Sequence, residues 1–371
     1  MEKARFAKQE KSHSFFGNYL YQQIIPEDHF FRKLNEVIDW DPFTNKLIEC
    51  YRGRGTFGRP PFDPSMILRM MLVSYLYHLS DRQTEVYVNE NLPAKYFVGL
   101  AVDQHAPAHS TLTRFRDRIL KRKQEAVLES LLAEIVQLAL KSGIEFGSIQ
   151  IMDSVHSVAH VNTTKDENRQ NKGKGPRDPD ARWGAKHARK FKTRDGKTVK
   201  QTEYFYGYKA HVSMNAENHL ITSIRTTSGE AYDGHLLPEL LEQDLSLGIP
   251  FEIVTADRGY DDGNNHFLLR SKGLHSAIHV RDLRTKKKDS NKQIWLELVK
   301  TVQYQLGLKE RYKIERKFGE AKQGHGLSLC RYVGEDKFAV QAFMTAIVLN
   351  LKRMVKLLTG TPFKAPVRAC S

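Results

Sequence analysis

Three acids in this chain, Asp153, Asp257 and Glu315, stand in settings from which a divalent-metal phosphodiester site can be assembled. Hydrolysis or transfer of a phosphodiester calls for Mg²⁺ or Mn²⁺ on hard carboxylate oxygens, with room left for water and phosphate oxygens. Two such ions about 4 Å apart activate the attacking oxygen and stabilise the leaving one, so the acids must converge from separate elements. Asp153 closes the alternating run Ile149-Gln150-Ile151-Met152, and Asp257 closes the short apolar run Ile253-Val254-Thr255-Ala256. Both runs read as strands. If the two are parallel neighbours, their C-terminal ends lie side by side, where α/β proteins place ligand sites.

Glu315 falls in a helical stretch, Arg311 to Lys322. At about 100° per residue, Arg311, Glu315 and Lys322 lie within about 40° of one another on one stripe. An acid between two cations suits the neighbourhood of an anionic phosphate. Taken singly, each acid has an ordinary role: a strand-end turn for Asp153, a helix cap for Asp257, an i, i+4 ion pair for Glu315. Only the combination gives them weight.

The elements that must position these acids fall in two parts. Residues 20 to 142 carry apolar positions at spacings of three and four and predict an all-α region. Its clearest start is Asp63-Pro64, with Asp63 as cap and Pro64 at the first helical position. The segment 110–119 puts Leu112, Phe115 and Ile119 on one face and Thr113, Arg114, Arg116 and Arg118 elsewhere on the surface, the pattern of a helix laid on DNA. From Gly143 the period changes. Strands are expected at 149–153, 204–212, 220–224 and 252–257, with a helix over 235–245, which gives an α/β sheet layered with helices. The expected domains are 1–142, helical and used for DNA binding and assembly; 143–358, catalytic, with an insertion at 162–203; and a tail, 359–371.

At 371 residues two cores are expected. The net charge of +15 and the pI near 9.5 direct the chain to a polyanion, DNA or RNA. Residues 165 to 200 hold 13 Lys or Arg against 5 Asp or Glu, a stretch expected to stay loop-like until it meets phosphates. A smaller cluster, Arg281 to Lys288, predicts another phosphate contact. No apolar run approaches the roughly 20 residues of a membrane span, and the charged N-terminus lacks the pattern of a signal peptide. A cytoplasmic protein with no membrane partner is expected. Cys50, Cys330 and Cys370 stand far apart, without the spacing of a zinc knuckle or a disulfide framework.

Taken together, these residues resemble the DDE transposases of bacterial insertion sequences, in particular the InsH-type group. The resemblance covers nearly the whole chain. Its blocks are Asp153-Ser154-Val155; Thr255-Ala256-Asp257-Arg258-Gly259-Tyr260-Asp261; and the family's Tyr-x2-Arg-x3-Glu-x6-Lys signature, which fits at Arg311, Glu315 and Lys322. The signature departs at its tyrosine, where Leu308 stands; the nearest ring, Tyr312, lies four positions later. Gly207-Tyr208-Lys209-Ala210-His211 and Arg-Pro-Pro-Phe-Asp-Pro at 59–64 also match the group. The 103 residues between Asp153 and Asp257 and the 57 between Asp257 and Glu315 agree in order and distance.

The resemblance implies an RNase H-like mixed sheet flanked by helices. It implies hydrolysis at each transposon end and attack of the freed 3′ hydroxyl on target DNA, with Mg²⁺ or Mn²⁺ as cofactor. Asp153, Asp257 and Glu315 would be the catalytic acids and metal ligands, Asp153 bridging both ions. Arg311, Lys322, Arg258, Lys209, Arg114 and Arg116 would contact DNA, and the partners would be terminal inverted repeats, target DNA and a second copy of the chain. Competing readings are an RNase H-like nuclease or resolvase without strand transfer, and a non-enzymatic DNA-binding derivative, for which a lost acid is expected. A helix-turn-helix regulator leaves the α/β half unexplained. His156-x3-His160 lacks the Glu of a zinc hydrolase. Both histidines are expected to be packed or solvated more often than catalytic, and Trp295 to be a core residue rather than a base-stacking one.

Overall fold

The change of hydrophobic period at Gly143 coincides with a change of architecture. The computed structural model describes residues 15–48, 50–51, 61–121, 124–192, 195, 198–286 and 290–364. Arg59, Pro60, Lys287, Lys288, Cys370 and the first ten residues, named above, lie outside these. The chain divides into two units, Met1–Glu145 with Phe343–Ser371, and Phe146–Ala342.

The first unit is helical throughout its described part. Its central helix, Pro64–Leu76, is buried at every position, as expected for the run Met66-Ile67-Leu68-Arg69-Met70-Met71-Leu72-Val73. Asp63 caps it by accepting from the Ser65 N–H at 2.7 Å, with Pro64 at the first turn. Arg69 lies inside this core and donates to the Phe97 carbonyl at 3.0 Å. Gly99 ends the helix Leu92–Val98 at φ +87°, and a Cβ there would lie 2.9 Å from the Arg69 guanidinium. In the helix His109–Lys121, Leu112, Phe115 and Ile119 are buried as their spacing requires. The long helix Glu335–Thr359 begins in the second unit and gives its residues from Phe343 onward to the first. By contacts the helix is thus shared between the units, whereas the expected catalytic domain ran on to 358. That helix is long and apolar enough to cross a membrane, but 89% of its apolar window is buried in the protein. Phe363, in the expected tail, packs on Phe30 and Tyr77 at 5.0 and 5.4 Å between ring centroids.

The second unit is built on six strands: β1 (Ile149–Val158), β2 (Arg182–Lys192), β3 (Thr198–Asn215), β4 (Ile221–Ser228), β5 (Ile253–Ala256) and β6 (His275–Ile278). The order is β2-β3-β1-β5-β6, with β4 also on β3. β1 is antiparallel to β3 and parallel to β5, and β5 is parallel to β6, which makes the sheet mixed. All four residues of β5 are buried, as expected for a central strand covered on both faces. Helices flank the sheet, among them Leu237–Ser246, Gly263–Ser271, Val302–Glu310 and Tyr312–His325. Gly307 lets the Val302–Glu310 helix press onto the sheet, since a Cβ there would be 2.4 Å from Ala277 Cβ. A buried polar knot helps to lock the strand register: Asp244 accepts from Ser213 Oγ at 2.6 Å and Gln150 Nε2 at 3.1 Å.

The insertion corrects an expectation. Instead of a structureless loop, 162–203 contains the helix Thr163–Gln170, capped by Asn162, and the strand β2. β3 is 18 residues long; its first half, 198–207, pairs with β2, and its second half, 207–215, with β1. The high Lys and Arg content hides a strand that needs no hydrophobic alternation, because the backbone ladder to β3 supplies its order.

Candidate active site

The parallel pairing of β1 with β5 runs from Ile149↔Ile253 to Met152↔Ala256 and stops. Asp153 and Asp257 are the residues that follow these last pairs, Asp153 still on β1 and Asp257 just past the end of β5. β1 does not end at Asp153, as its alternation suggested. It continues on β3 to Val158, so Asp153 sits at a fork where one partner strand is lost and the other kept. Asp257 turns the chain into a short 3₁₀ segment, Arg258–Tyr260, and accepts from the Gly259 N–H at 2.7 Å. It is thus both a cap and a member of the acid pair. Burial first, and then the charge of Asp257, push the Asp153 carboxyl up to about 7.

Glu315 reaches this pair through Arg311. The Arg311 guanidinium donates to Glu315 Oε1 at 2.7 Å and to Asp153 Oδ2 at 3.4 Å, so one fork joins two of the three acids. The helix that carries Glu315 is held against β1 beyond its C-terminus. Gly326 closes it in the left-handed conformation, φ +71°. The following loop is then tied to β1: Ser157 Oγ donates to the Leu327 carbonyl, Val158 N–H to Ser328 O at 3.0 Å, and Cys330 N–H to Val158 O at 2.8 Å. Among the described residues, no three acids, histidines or cysteines stand close enough to share one cation. What suits a hard divalent ion is the chemistry of the donors. These are carboxylate oxygens, two of them repel each other at a partly desolvated position, and a guanidinium supplies the positive charge between Asp153 and Glu315.

The other expected site residues are placed as follows. Lys322, on the Glu315 helix, lies half-buried with its Nζ 3.5 Å from His156 Nε2; burial, and then the charge of Lys186 on β2, lower its proton affinity. The insertion thus comes within electrostatic reach of the acid-bearing helix. Arg258 is exposed and shares its guanidinium with His279 at 3.1 Å and Asp282 at 3.5 Å. Lys209 does not present a free charge to DNA, because it donates to Asp233 Oδ1 and to the Ala231 carbonyl, both at 2.8 Å. Arg114 is exposed. Arg116 is a correction: it is buried and paired with Asp81 at 2.8 Å, a partner 35 positions away that its own helix cannot reveal. His160 is exposed. Trp295 is buried between the His266 ring and the Arg284 guanidinium, a packed residue as expected. Arg281 and Arg284, expected at phosphates, are engaged within the protein, Arg281 by the Arg258 carbonyl and Arg284 by Asp261. Leu308, at the signature tyrosine's place, packs against the core of Ile253, Ala277, Val280, Trp295 and Tyr304. Tyr312, one turn on, is half-exposed.

Sequence reasoning missed four residues at the site. Asp233 accepts from Ser154 Oγ at 2.9 Å as well as from Lys209. Tyr260 is fully buried, and the charges of Asp153, Asp233 and Asp257 in turn act on its phenol; its hydroxyl finds no hydrogen-bond partner among the described residues. His279 has its proton affinity lowered by burial and then by Arg258 and Arg311. Ser154 had been quoted only as a motif letter. The glycines of the motif blocks have a physical account. At Gly207 a Cβ would come within 2.1 Å of the Ser157 carbonyl, and at Gly259 within 2.8 Å of Asp257 Oδ1.

A mixed sheet with two acids at the ends of adjacent parallel strands, and a third on a covering helix, is an RNase H-like α/β arrangement. Two family profiles match the chain: a transposase DDE domain over residues 145–351 and a transposase domain of the type DUF772 over 19–118. The first spans more than half of the chain and includes Asp153, Asp257 and Glu315. The chain belongs to the DDE transposases of insertion-sequence type. These are nucleotidyl-transfer enzymes that act on DNA and generally use a divalent metal ion.

Proposed function

We propose that this transposase hydrolyses a phosphodiester at each end of its element and transfers the freed 3′ hydroxyl into target DNA, with Asp153, Asp257 and Glu315 holding Mg²⁺, or Mn²⁺ in its place. The observation that carries the reading is the juxtaposition of Asp153 and Asp257 at the end of the β1–β5 ladder, with Arg311 joining Asp153 to Glu315. A bound divalent ion would supply Lewis-acid activation of the attacking and leaving oxygens. The chain's own residues do the rest. With Glu315 among the residues that would hold the cation, Arg311 would be available to grip a phosphate as a fork, with Lys322 as a point charge and Arg258 as a further contact. Arg114 adds a DNA contact from the helical unit. Lys209 keeps the protein framework in place instead.

The insertion supports a DNA partner. Lys165, Arg169, Lys172, Lys174 and Arg177 line a hollow of about 400 Å³ beside the Thr163–Gln170 helix, together with one acid, Asp166, whose oxygens accept from Gln170 Nε2 and the Arg177 N–H. Five cations against one acid leave the hollow with an excess of positive charge that an anion would offset. A homodimer on DNA, with one site for each element end, and a cytoplasmic, nucleoid-associated location complete the reading.

The test mixes the protein, Mg²⁺ and a duplex carrying the element's end, and compares the wild type with Glu315→Gln. The wild type is expected to cut and join, and the variant to lose at least about 10³-fold in both, the scale on which removing a catalytic group acts. Equal cutting and joining by the two proteins would overturn the assignment, and cutting without joining would favour a nuclease.

A further inference from the structure

The acid pair is steadied by a fourth carboxylate that carries no motif. Asp233 opens the 3₁₀ turn Asp233–Leu236, which packs on the turn that follows Asp257. One of its oxygens accepts from Lys209 Nζ at 2.8 Å and the other from Ser154 Oγ at 2.9 Å. Ser154 in turn donates its backbone N–H to Asp153 Oδ1 at 2.8 Å. A continuous chain of hydrogen bonds therefore runs from β3, through Asp233 and Ser154, to the carboxylate at the fork.

Two further observations place Asp233 at the site and not merely in a surface ion pair. A Cβ on Gly259 would lie 2.8 Å from Asp257 Oδ1 and 3.6 Å from Asp233 Oδ2, so a residue without a side chain separates the two carboxylates. The buried Tyr260 phenol lies within the field of Asp153, Asp233 and Asp257 together. Lys209 and Asp233 are mostly buried, which makes their contact far less exchangeable with water than an exposed pair. His211, fully buried on the same strand, has one ring nitrogen 3.8 Å from Asp233 and the other bonded to Thr227 Oγ1 at 2.9 Å, which limits where the carboxylate can swing.

We propose that Asp233 is a positioning residue of the catalytic site: anchored by Lys209, it holds Ser154 so that the Asp153 carboxylate is presented to a divalent cation in one orientation. The proposal rests on the reading of Asp153 and Asp257 as the cation's ligands. It also accounts for the Gly-Tyr-Lys-Ala-His block. Gly207 lets β3 cross close to β1, Lys209 anchors Asp233, and His211 limits its movement.

The experiment measures Mn²⁺ binding by titration calorimetry on the full chain, without DNA, for the wild type and for Asp153→Asn, Ser154→Ala, Asp233→Ala and the Ser154→Ala/Asp233→Ala double variant. Thermal melts in chelator monitor folding. Groups that orient a metal's ligands are typically worth about 10- to 100-fold in metal affinity, and that loss is expected for Ser154→Ala and for Asp233→Ala. The double variant should lose no more than the larger single loss, because both act along one chain of bonds. Ser154→Ala removes one oxygen and no charge, so it keeps the test open if Asp233→Ala fails to fold. Unchanged Mn²⁺ affinity in Ser154→Ala, or losses that multiply in the double variant, would overturn the proposal while leaving the ligand assignment intact. If Asp153→Asn binds Mn²⁺ as tightly as the wild type, the ligand assignment fails and the proposal fails with it.

Discussion

Replacing the cations of the insertion should change the salt dependence of DNA binding by an amount that can be worked out beforehand. The perturbation is a fourfold exchange to Gln at Lys165, Lys172, Lys174 and Arg177. Arg169 is left in place because its Nε donates to the Gly175 carbonyl at 2.9 Å and helps to fold the loop. Asp166, which accepts from the Arg177 backbone N–H at 2.9 Å and orders the same loop, is also untouched. Each phosphate contact contributes about −0.9 to the slope of log K against log salt, so four contacts contribute about −3.6. Between 50 and 200 mM salt the wild type should then lose about 150-fold more affinity than the variant, or about 10-fold more if half of the four side chains reach phosphates. Fluorescence anisotropy on a labelled duplex over a salt series reads the slope directly. Because phosphates carry no base identity, an element end and an unrelated duplex should shift together. A slope within one unit of the wild type's would refute the reasoning, as would a loss confined to the element end.

Other outcomes follow from the same geometry. The Asp153 carboxyl is raised from its ordinary 3.8 to about 7, which at about 1.4 kcal/mol per pH unit is worth roughly 4 kcal/mol. Since the folded state holds the proton more tightly, this stability is fully present below about pH 4 and is lost as pH rises to about 7. Asp153→Asn should therefore melt close to the wild type at pH 4 and several degrees above it at pH 8 in chelator; a difference that does not grow with pH would contradict the shift. Arg116→Ala leaves Asp81 without its cation, with the Thr113 hydroxyl still donating to it, and should cost about 2–4 kcal/mol of stability in a denaturant titration, with DNA affinity of the folded protein unchanged. A Cβ at Gly259 displaces Asp257, so Gly259→Ala should lower the rate of cleavage about 100-fold, as misplacement by about an ångström does, with little change in melting temperature.

The parts of the fold that could be read from the sequence are those where burial writes a pattern. β5 is a run of buried apolar residues ending on an acid, and the Pro64–Leu76 helix has a cap and an apolar run, so both were visible. β2 was not, because a strand ordered by its ladder to a longer neighbour needs no apolar alternation, and its lysines and arginines read as loop. Among the site residues, the acids and Arg311 were marked by spacing and motif. Asp233 had only an Asp-Gly turn around it; its partners, Lys209 and Ser154, are 24 and 79 positions away. Arg116 was misplaced for the same reason: helical phase set it beside exposed residues, whereas a distant carboxylate drew it inward.

β3 is one continuous strand with two tenants. Its second half frames the acids, and its first half carries the ribbon of the insertion, which starts at Gly207 and extends about nine residues, roughly 30 Å at strand rise. Gly207 is the point where the tenancy changes. The far end of the ribbon can therefore lengthen or shorten without shifting the register in which Asp153 meets its neighbours. The tip of the ribbon is thus the part of the catalytic unit whose length is least tied to the geometry of the acids.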